Sequence, residues 1–397
     1  MSFLLGVVIF IVALLISVML HEAGHFLTAK RFGMKVTQFF VGFGQTLWSF
    51  RRGETEYGIK VLPAGGFVRI TGMTDLEEVD PADEPRSFRR HAGWQRIIVL
   101  AAGSFMHFVL ALVLLFILAA GIGLAATSTS TAIGAVDPCT PSSLSGGCQH
   151  GSSSSPAGRA GLKAGDKIVA VGGESVTGWT QMGQVIRRQP HNRPIPVTVI
   201  RDGHRLTLHP TPATTLSGGK HISFLGISPV VTFQRKNPVA ALSYAGSAFG
   251  ATVTGSAKVI GSLPRALPDL FAKNRASTPA GQVSSVVGAG NATGQVLADN
   301  IAWQSKVALV LLIVASLNIF VGLFNLLPLL PMDGGHLAVV IFERSRALLA
   351  RLRGRPDPGL VDMRRLIPVS VGVFALLVGV GVLLIMADIV NPVRIIQ

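Results

Sequence analysis

Four stretches of the chain, at about 3–26, 97–125, 305–330 and 367–390, carry apolar side chains with almost no polar interruption. Each meets the roughly 20 residues that a helix needs to cross hydrocarbon, so the pattern predicts four transmembrane helices with both termini on one side. The loop after the first holds Arg51, Arg52, Arg86, Arg89, Arg90 and Arg96; the loop before the last holds Arg344, Arg346, Arg351, Arg353, Arg355, Arg364 and Arg365. Positive charge stays inside, so both loops are expected in the cytoplasm and the segment 126–302 outside. A fifth apolar stretch, 238–263, is rich in small residues and carries Lys258. If it spanned, the last two helices would invert and the arginine-rich loop would face out; it is read as an interfacial or pocket-lining helix.

Elsewhere the periodicity changes. Residues 54–73 alternate over Tyr57, Ile59 and Val61 and contain Pro63–Gly66, which predicts a hairpin turning there. Its edge could pair with an extended peptide. The stretch 137–158 is of low complexity and reads as a flexible loop. After it come the run RAGLKAGDKIVAV, a helix near 179–188 and two alternating strands joined at Asp202-Gly203. This part resembles a PDZ domain through Gly161-Leu162 and Gly165-Asp166 leading into Lys167–Val171, which implies peptide capture or steric filtering of substrates.

Composition agrees with the hydrophobic pattern. Charged residues are only 14% of the chain against 49% apolar, and mean hydropathy is +0.52, which excludes an ordinary soluble protein. The net charge of +15 is spread over connecting segments without a basic stripe, so it signals topology and contact with the lipid bilayer, and no nucleic acid. Residues 3–20 lack a basic leader and a cleavage site, so a retained helix is expected there. Two cysteines, Cys139 and Cys148, exclude a thiolate metal cluster and permit one disulfide outside the cytoplasm.

The chemistry sits where polar residues interrupt spans. His21-Glu22-Ala23-Gly24-His25 ends the first helix. Positions i and i+4 share a helical face, so both imidazoles can bind one zinc ion while Glu22 reaches a water as general base. Such residues carry a cost in hydrocarbon unless they face a cavity or a partner. A catalytic zinc wants three protein ligands. A third histidine downstream is absent, since Arg31 stands at that position, whereas Asp333 is a carboxylate that closes the long apolar run of the third span. Pro328, Pro331, Gly334 and Gly335 would break the helix and bend Asp333 inward; its alternative role is a helix cap.

HEAGH in the first helix together with Asn325-x-x-Pro328-x-x-x-x-Asp333-Gly334-Gly335 in the third resembles the site-2 protease family, in its bacterial PDZ-containing RseP/Rip type. The resemblance implies one zinc per chain on His21, His25 and Asp333, Glu22 as base, and Asn325 positioning substrate or stabilising the oxyanion. It implies a plasma-membrane protease with its active site toward the cytoplasm and its PDZ-like domain outside. Substrates would be transmembrane proteins such as anti-sigma factors, already cut once, in stress signalling. One departure is Ala102-Gly103-Ser104-Phe105-Met106-His107-Phe108, where Ser104 and His107 replace the family's Pro and Asn. His107 is expected to pack through a hydrogen bond, not to bind metal.

The expected fold is thus a polytopic α-helical membrane protein with about four spans, a membrane-associated β-hairpin and an extracytoplasmic α+β PDZ-like domain. Its parts are 1–125 (two spans, HExxH and the hairpin), 126–158 (linker), 159–230 (PDZ-like), 231–302 (interfacial helical segment) and 303–397 (the last two spans). A non-catalytic PDZ adaptor with a structural metal site and a metal transporter are the competing readings. The intact Glu22 speaks against the first, and the lack of repeated ionisable residues on several helices against the second.

Overall fold

The computed structural model describes residues 2–73, 77–141, 153–217, 220–266, 271, 285–299 and 301–390; the low-complexity core at 142–152, Cys148 included, lies outside the described residues. The chain forms two compact units, Met1–Gly121 with Asn237–Ile395, and Ile122–Lys236.

The first unit begins with helix α1, Ser2–Arg31, which presents Leu4, Leu5, Val8, Ile11 and Val12 outward, as a helix in lipid must. Strands β1, Val36–Arg52, and β2, Thr55–Ile70, follow. The tight turn between them lies at Gly53; Pro63–Gly66 stands where β2 itself reverses, as expected, but the arms of that reversal, 56–59 and 66–70, pair with β1 and not with each other. Both strands fold back on themselves: Val36–Val41 pairs with Gly66–Ile70, while Gln38–Val41 also lies beside Glu56–Ile59, which in turn pairs with Trp48–Arg51. The sheet is therefore four segments wide, with 66–70 and 46–52 at its edges. Gly42 permits the crossing: it has a positive φ of 85°, and a Cβ there would stand 2.5 Å from the Leu62 carbonyl. Trp48, Phe50, Leu47, Leu62 and Val61 are exposed, so alternation was blurred by apolar residues on both faces. Glu54, beside the turn, accepts from Lys30 at 2.5 Å and from Arg86 at 2.7 and 2.9 Å. These bonds, Arg86 foremost, hold its carboxyl at about 2. Helix α2, Gly93–Ile117, then crosses back.

The second unit contains β3 (Leu124–Thr127), β4 (Ile133–Val136), α3 (Pro156–Arg159), β5 (Lys167–Val171), β6 (Glu174–Ser175), α4 (Trp179–Arg188), β7 (Val197–Arg201) and β8 (His204–Leu208), then β9 (Ala213–Ser217), β10 (Lys220–Phe224), β11 (Ile227–Pro229) and β12 (Val231–Gln234). Strands β6-β5-β7-β8 form one antiparallel sheet; β4 pairs with β11, β3 with β12 and β9 with β10. Ile133, Ile168, Val171, Met182, Val185, Val197 and Val199 pack between α4 and the strands. The unit thus starts earlier than residue 159: β3 and β4 lie in the stretch expected as a linker, and Ile133 is part of its core. Asp166, buried, accepts twice from Arg201 at 2.7 Å, which ties the Gly165 loop to β7 and holds its carboxyl below the usual range. Cys139 is disulfide-bonded.

Back in the first unit, α5 (Pro238–Ala266) packs Ala245 and Phe249 onto Ala111 and Leu115 of α2 and onto Ala315 and Ile319 of the later helix α7. The next helix, α6 (Val286–Ala298), lies so close to α1 that a Cβ on Gly6 would meet the Thr293 carbonyl at 2.7 Å. The 231–302 segment therefore divides into a strand of the second unit and two helices packed in the first. Helices α7 (Trp303–Asn325), α8 (Asp333–Leu352) and α9 (Ile367–Val390) complete the chain. Among the described residues four helical segments are long and apolar enough to cross a membrane, Ser2–Arg31, Gly93–Ile122, Trp303–Asn325 and Met363–Val390. The architecture is that of a polytopic membrane protein.

Candidate active site

The HEAGH histidines face inward from the last turns of α1. His21 is 7% and His25 5% exposed, although the rest of α1 turns its apolar face out. Their Nε2 atoms stand 3.2 Å apart. Asp333 joins them from the first turn of α8, its Oδ2 at 3.2 Å from His21 Nε2 and 3.4 Å from His25 Nε2. The proline-rich link after Asn325 makes this possible by ending α7 and letting α8 restart at Asp333. Gly334 and Gly335 pack directly on that link: a Cβ on Gly334 would lie 2.2 Å from the Leu327 carbonyl, and one on Gly335 2.6 Å from Leu330 N. The glycines of DGG are thus needed for close approach as well as for breaking the helix. Asp333 stands in the first turn of α8, where a carboxylate is favoured, but Met332 holds the cap position and no side chain caps the helix, so the capping role is not the one the structure shows.

The three atoms fit a metal. His25 Nδ1 lies 2.7 Å from the Val99 carbonyl, which can only accept, so Nδ1 carries the proton and Nε2 presents a lone pair. Asp333 Oδ2 is buried and makes no hydrogen bond, and the described residues offer no other group of three such ligands within reach of one another. The His25 lone pair and the Asp333 carboxylate converge with His21 Nε2, whose own Nδ1 is buried without a partner, and such a set of donors fits a cation. The nearest point equidistant from atoms spaced 3.2, 3.2 and 3.4 Å lies about 1.9 Å from each, and points just off their plane reach the roughly 2.0–2.1 Å of zinc–ligand bonds.

Helix α2 shapes the other wall. A Cβ on Gly103 would stand 2.4 Å from His25 Nε2 and 2.7 Å from His21 Nε2, and one on Gly24 would stand 2.5 Å from the Ala102 carbonyl. Both glycines let α1 and α2 touch at the level of the histidines. Glu22 interacts electrostatically with His21, His25 and Asp333 and sits beside the Val68 backbone, on the edge segment of the sheet. A Cβ on Gly66 in that segment would lie 3.6 Å from Glu22 Cγ. His107 hydrogen-bonds Asn318 Oδ1 at 2.7 Å, and Asn318 donates to Ser17 Oγ at 3.0 Å, so His107 links α2, α7 and α1 and lies outside the ligand group. Asn325 is the last residue of α7, half-buried where the link begins. Gly103, Val99 and Asn318 went unread in the sequence; the only trace of Gly103 was its place in the segment around His107.

A candidate metal site set between two long apolar helices and a helix restarted after a third is what a membrane metalloprotease would need. The profile of Peptidase family M50 matches residues 9–354, and the chain belongs to that family, the site-2 proteases. It is 36% identical to the zinc metalloprotease Rip1 of Mycobacterium tuberculosis (strain ATCC 25618 / H37Rv), with 100% of both chains covered. It is likewise 36% identical to Rip1 of Mycolicibacterium smegmatis, again over 100% of both. Against the zinc metalloprotease RasP of Bacillus licheniformis it is 25% identical over 83% of this chain and 88% of the other. The protein is an intramembrane zinc metalloprotease, and zinc is its cofactor.

Proposed function

We propose that His21, His25 and Asp333 hold the zinc, that Glu22 is the general base, and that the bond cut lies in a transmembrane segment of a single-span protein. The carrying observation is the buried triangle of Nε2, Nε2 and Oδ2 with an unpartnered carboxylate oxygen. When bound, zinc lowers the pKa of water toward 7 and polarises the scissile carbonyl. Glu22, one residue from His21 and within electrostatic reach of both histidines, takes the proton of the attacking water and returns it to the leaving nitrogen. Asn325, the last residue of α7 before the link that delivers Asp333, orients the substrate or its developing oxyanion. A helical substrate hides its carbonyls, so it must be drawn out as a strand. Segment 66–70 is an outer edge of the sheet beside Glu22, where an unwound substrate could add by backbone pairing.

The active site faces the cytoplasm on this reading and the Ile122–Lys236 unit lies outside, in the plasma membrane's outer compartment. Support comes from the arginine-rich loops and from the disulfide at Cys139, which needs an oxidising compartment. The unit acts as a PDZ-like module that receives a peptide or pre-cleaved substrate end; α4 packed on the β6-β5-β7-β8 sheet and the Gly161–Asp166 run support this. Anti-sigma factors are the proposed substrate class. Glu22→Gln in native membranes should keep zinc and lose cleavage of a single-span substrate by about 10²–10⁴-fold. Cleavage at the wild-type rate would overturn the role of Glu22.

A further inference from the structure

We propose that the buried ion pair between Arg96 and Glu343 is a positioning element of the active site, fixing the roll of α8 so that Asp333 meets the histidines. This rests on the ligand reading above. Arg96 Nη1 donates to Glu343 Oε2 at 2.9 Å, joining α2 to α8, and the two side chains are 11% and 8% exposed. Each partner is anchored again. Glu343 Oε1 accepts from Val361 N at 2.9 Å, and the Arg96 guanidinium lies 5.2 Å from the Phe88 ring. Phe88 itself is buried with Met34 and Ile70 at the base of the sheet.

The placement on α2 gives the pair its role. Arg96, Val99 and Gly103 stand at i, i+3 and i+7, on one face of that helix. Val99 orients His25, Gly103 admits both imidazoles, and Arg96 grips the helix that carries Asp333. One face of α2 is thus the common reference for all three ligands.

The link packed on Gly334 and Gly335 sets where α8 starts, and Val340 fits against Val99 and Leu100. Apolar contacts of this kind tolerate a small roll. Asp333 reaches roughly 5 Å from the helix axis, so a roll of roughly 20° would move its carboxylate by roughly 2 Å. A directional contact about three turns along the helix removes that freedom. A buried ion pair contributes little net stability compared with apolar side chains of similar size, so geometric specification is the better account of why charge is used here.

The test uses the full-length protein in membranes or detergent, with Arg96→Met/Glu343→Met as the main variant, because methionines restore packing without the directional contact. It should unfold thermally within a few degrees of wild type and bind zinc about tenfold more weakly. It should give an altered visible spectrum when loaded with cobalt(II), and lose kcat with KM unchanged. Wild-type zinc affinity and cobalt spectrum in this variant would overturn the proposal. Arg96→Leu/Glu343→Leu, which removes both charges and the directional contact together, is the second variant should the first fail to fold: it should lose zinc affinity, and wild-type affinity would again overturn the idea. Asp333→Ala separates the two readings. If it retains tight zinc, the ligand assignment fails; if it loses zinc while the Arg96 and Glu343 variants do not, only the positioning role fails.

Discussion

The two units differ in what they leave outside and in how many ionisable side chains they bury. In Ile122–Lys236 the interior is Ile133, Ile168, Val171, Met182, Val197 and Val199, and the buried charge Asp166 is held by Arg201. In the helical unit many outward positions are Leu, Ile, Val and Phe, while Ser17, His21, His25, Ser104, His107, Asn318, Arg96 and Glu343 are inside. Water rewards the first arrangement through the hydrophobic effect. Hydrocarbon gives apolar residues no reason to face inward, so small residues and polar contacts specify how the helices meet. In such a unit the side chains that define the fold and those that define the chemistry lie next to one another, and a change to one should register in the other.

The sharpest way to break this comparison is Gly103→Ala. A methyl group 2.4 Å from His25 Nε2 cannot be accommodated without moving an imidazole or separating α1 from α2. A displacement near 1 Å at a reacting centre costs on the order of 10²-fold in rate, and activity should fall at least that far, with zinc affinity falling about tenfold or more. Metal titration and cleavage of a single-span substrate check both. Normal activity in this variant would mean that glycine is there for helix packing alone.

The same contrast explains what could be read from the sequence. The four spans and the HEAGH face were legible because unbroken apolar runs and a fixed i, i+4 spacing are local signals. Asp333 was legible because a carboxylate beside two prolines and two glycines is conspicuous after an apolar run. The sheet at 36–70 was legible only in part: β2 alternates over Tyr57, Ile59 and Val61, but β1 is apolar on both faces and its fold-back depends on Gly42 and Leu62 meeting across the crossing. Helix α8 was hidden behind the prolines that precede it. Gly103, Val99, Asn318 and the Arg96–Glu343 pair were illegible for another reason. Each acts through a partner far along the chain, 247 residues away for the ion pair, and no local pattern announces such a partner.

An intermediate effect should come from the other unit. Ile168 is fully buried on β5, between α4 and the neighbouring strands. Ile168→Ala should destabilise Ile122–Lys236 by about 2–4 kcal/mol, the usual result of a large-to-small change in a packed core. Limited proteolysis or amide exchange should locate the loss there, while zinc content and the cobalt(II) spectrum stay as in wild type. A fall in zinc affinity would show that the division between the units is not an energetic one.

The smallest effect separates two acid–arginine contacts within the helical unit. Glu343 is 8% exposed and meets Arg96; Glu54 is 27% exposed and meets Arg86 and Lys30 at the edge of the sheet. Solvent screens the second contact, so Glu54→Gln should cost at most about 1 kcal/mol, confined to amide protection of residues 36–70. The bonds from Arg86 above all, then Lys30, lower the Glu54 carboxyl from 4.5 to about 2 in the folded protein. A depressed acid contributes stability that is complete above its unfolded value and lost as pH falls through its folded one. Protection of the sheet by Glu54 should therefore be constant from pH 8 to about pH 5 and fade only between about pH 4.5 and 2, with wild type and Glu54→Gln converging at the acid end. Loss of the wild-type advantage between pH 7 and 5 would show that another group anchors the sheet beside Glu22.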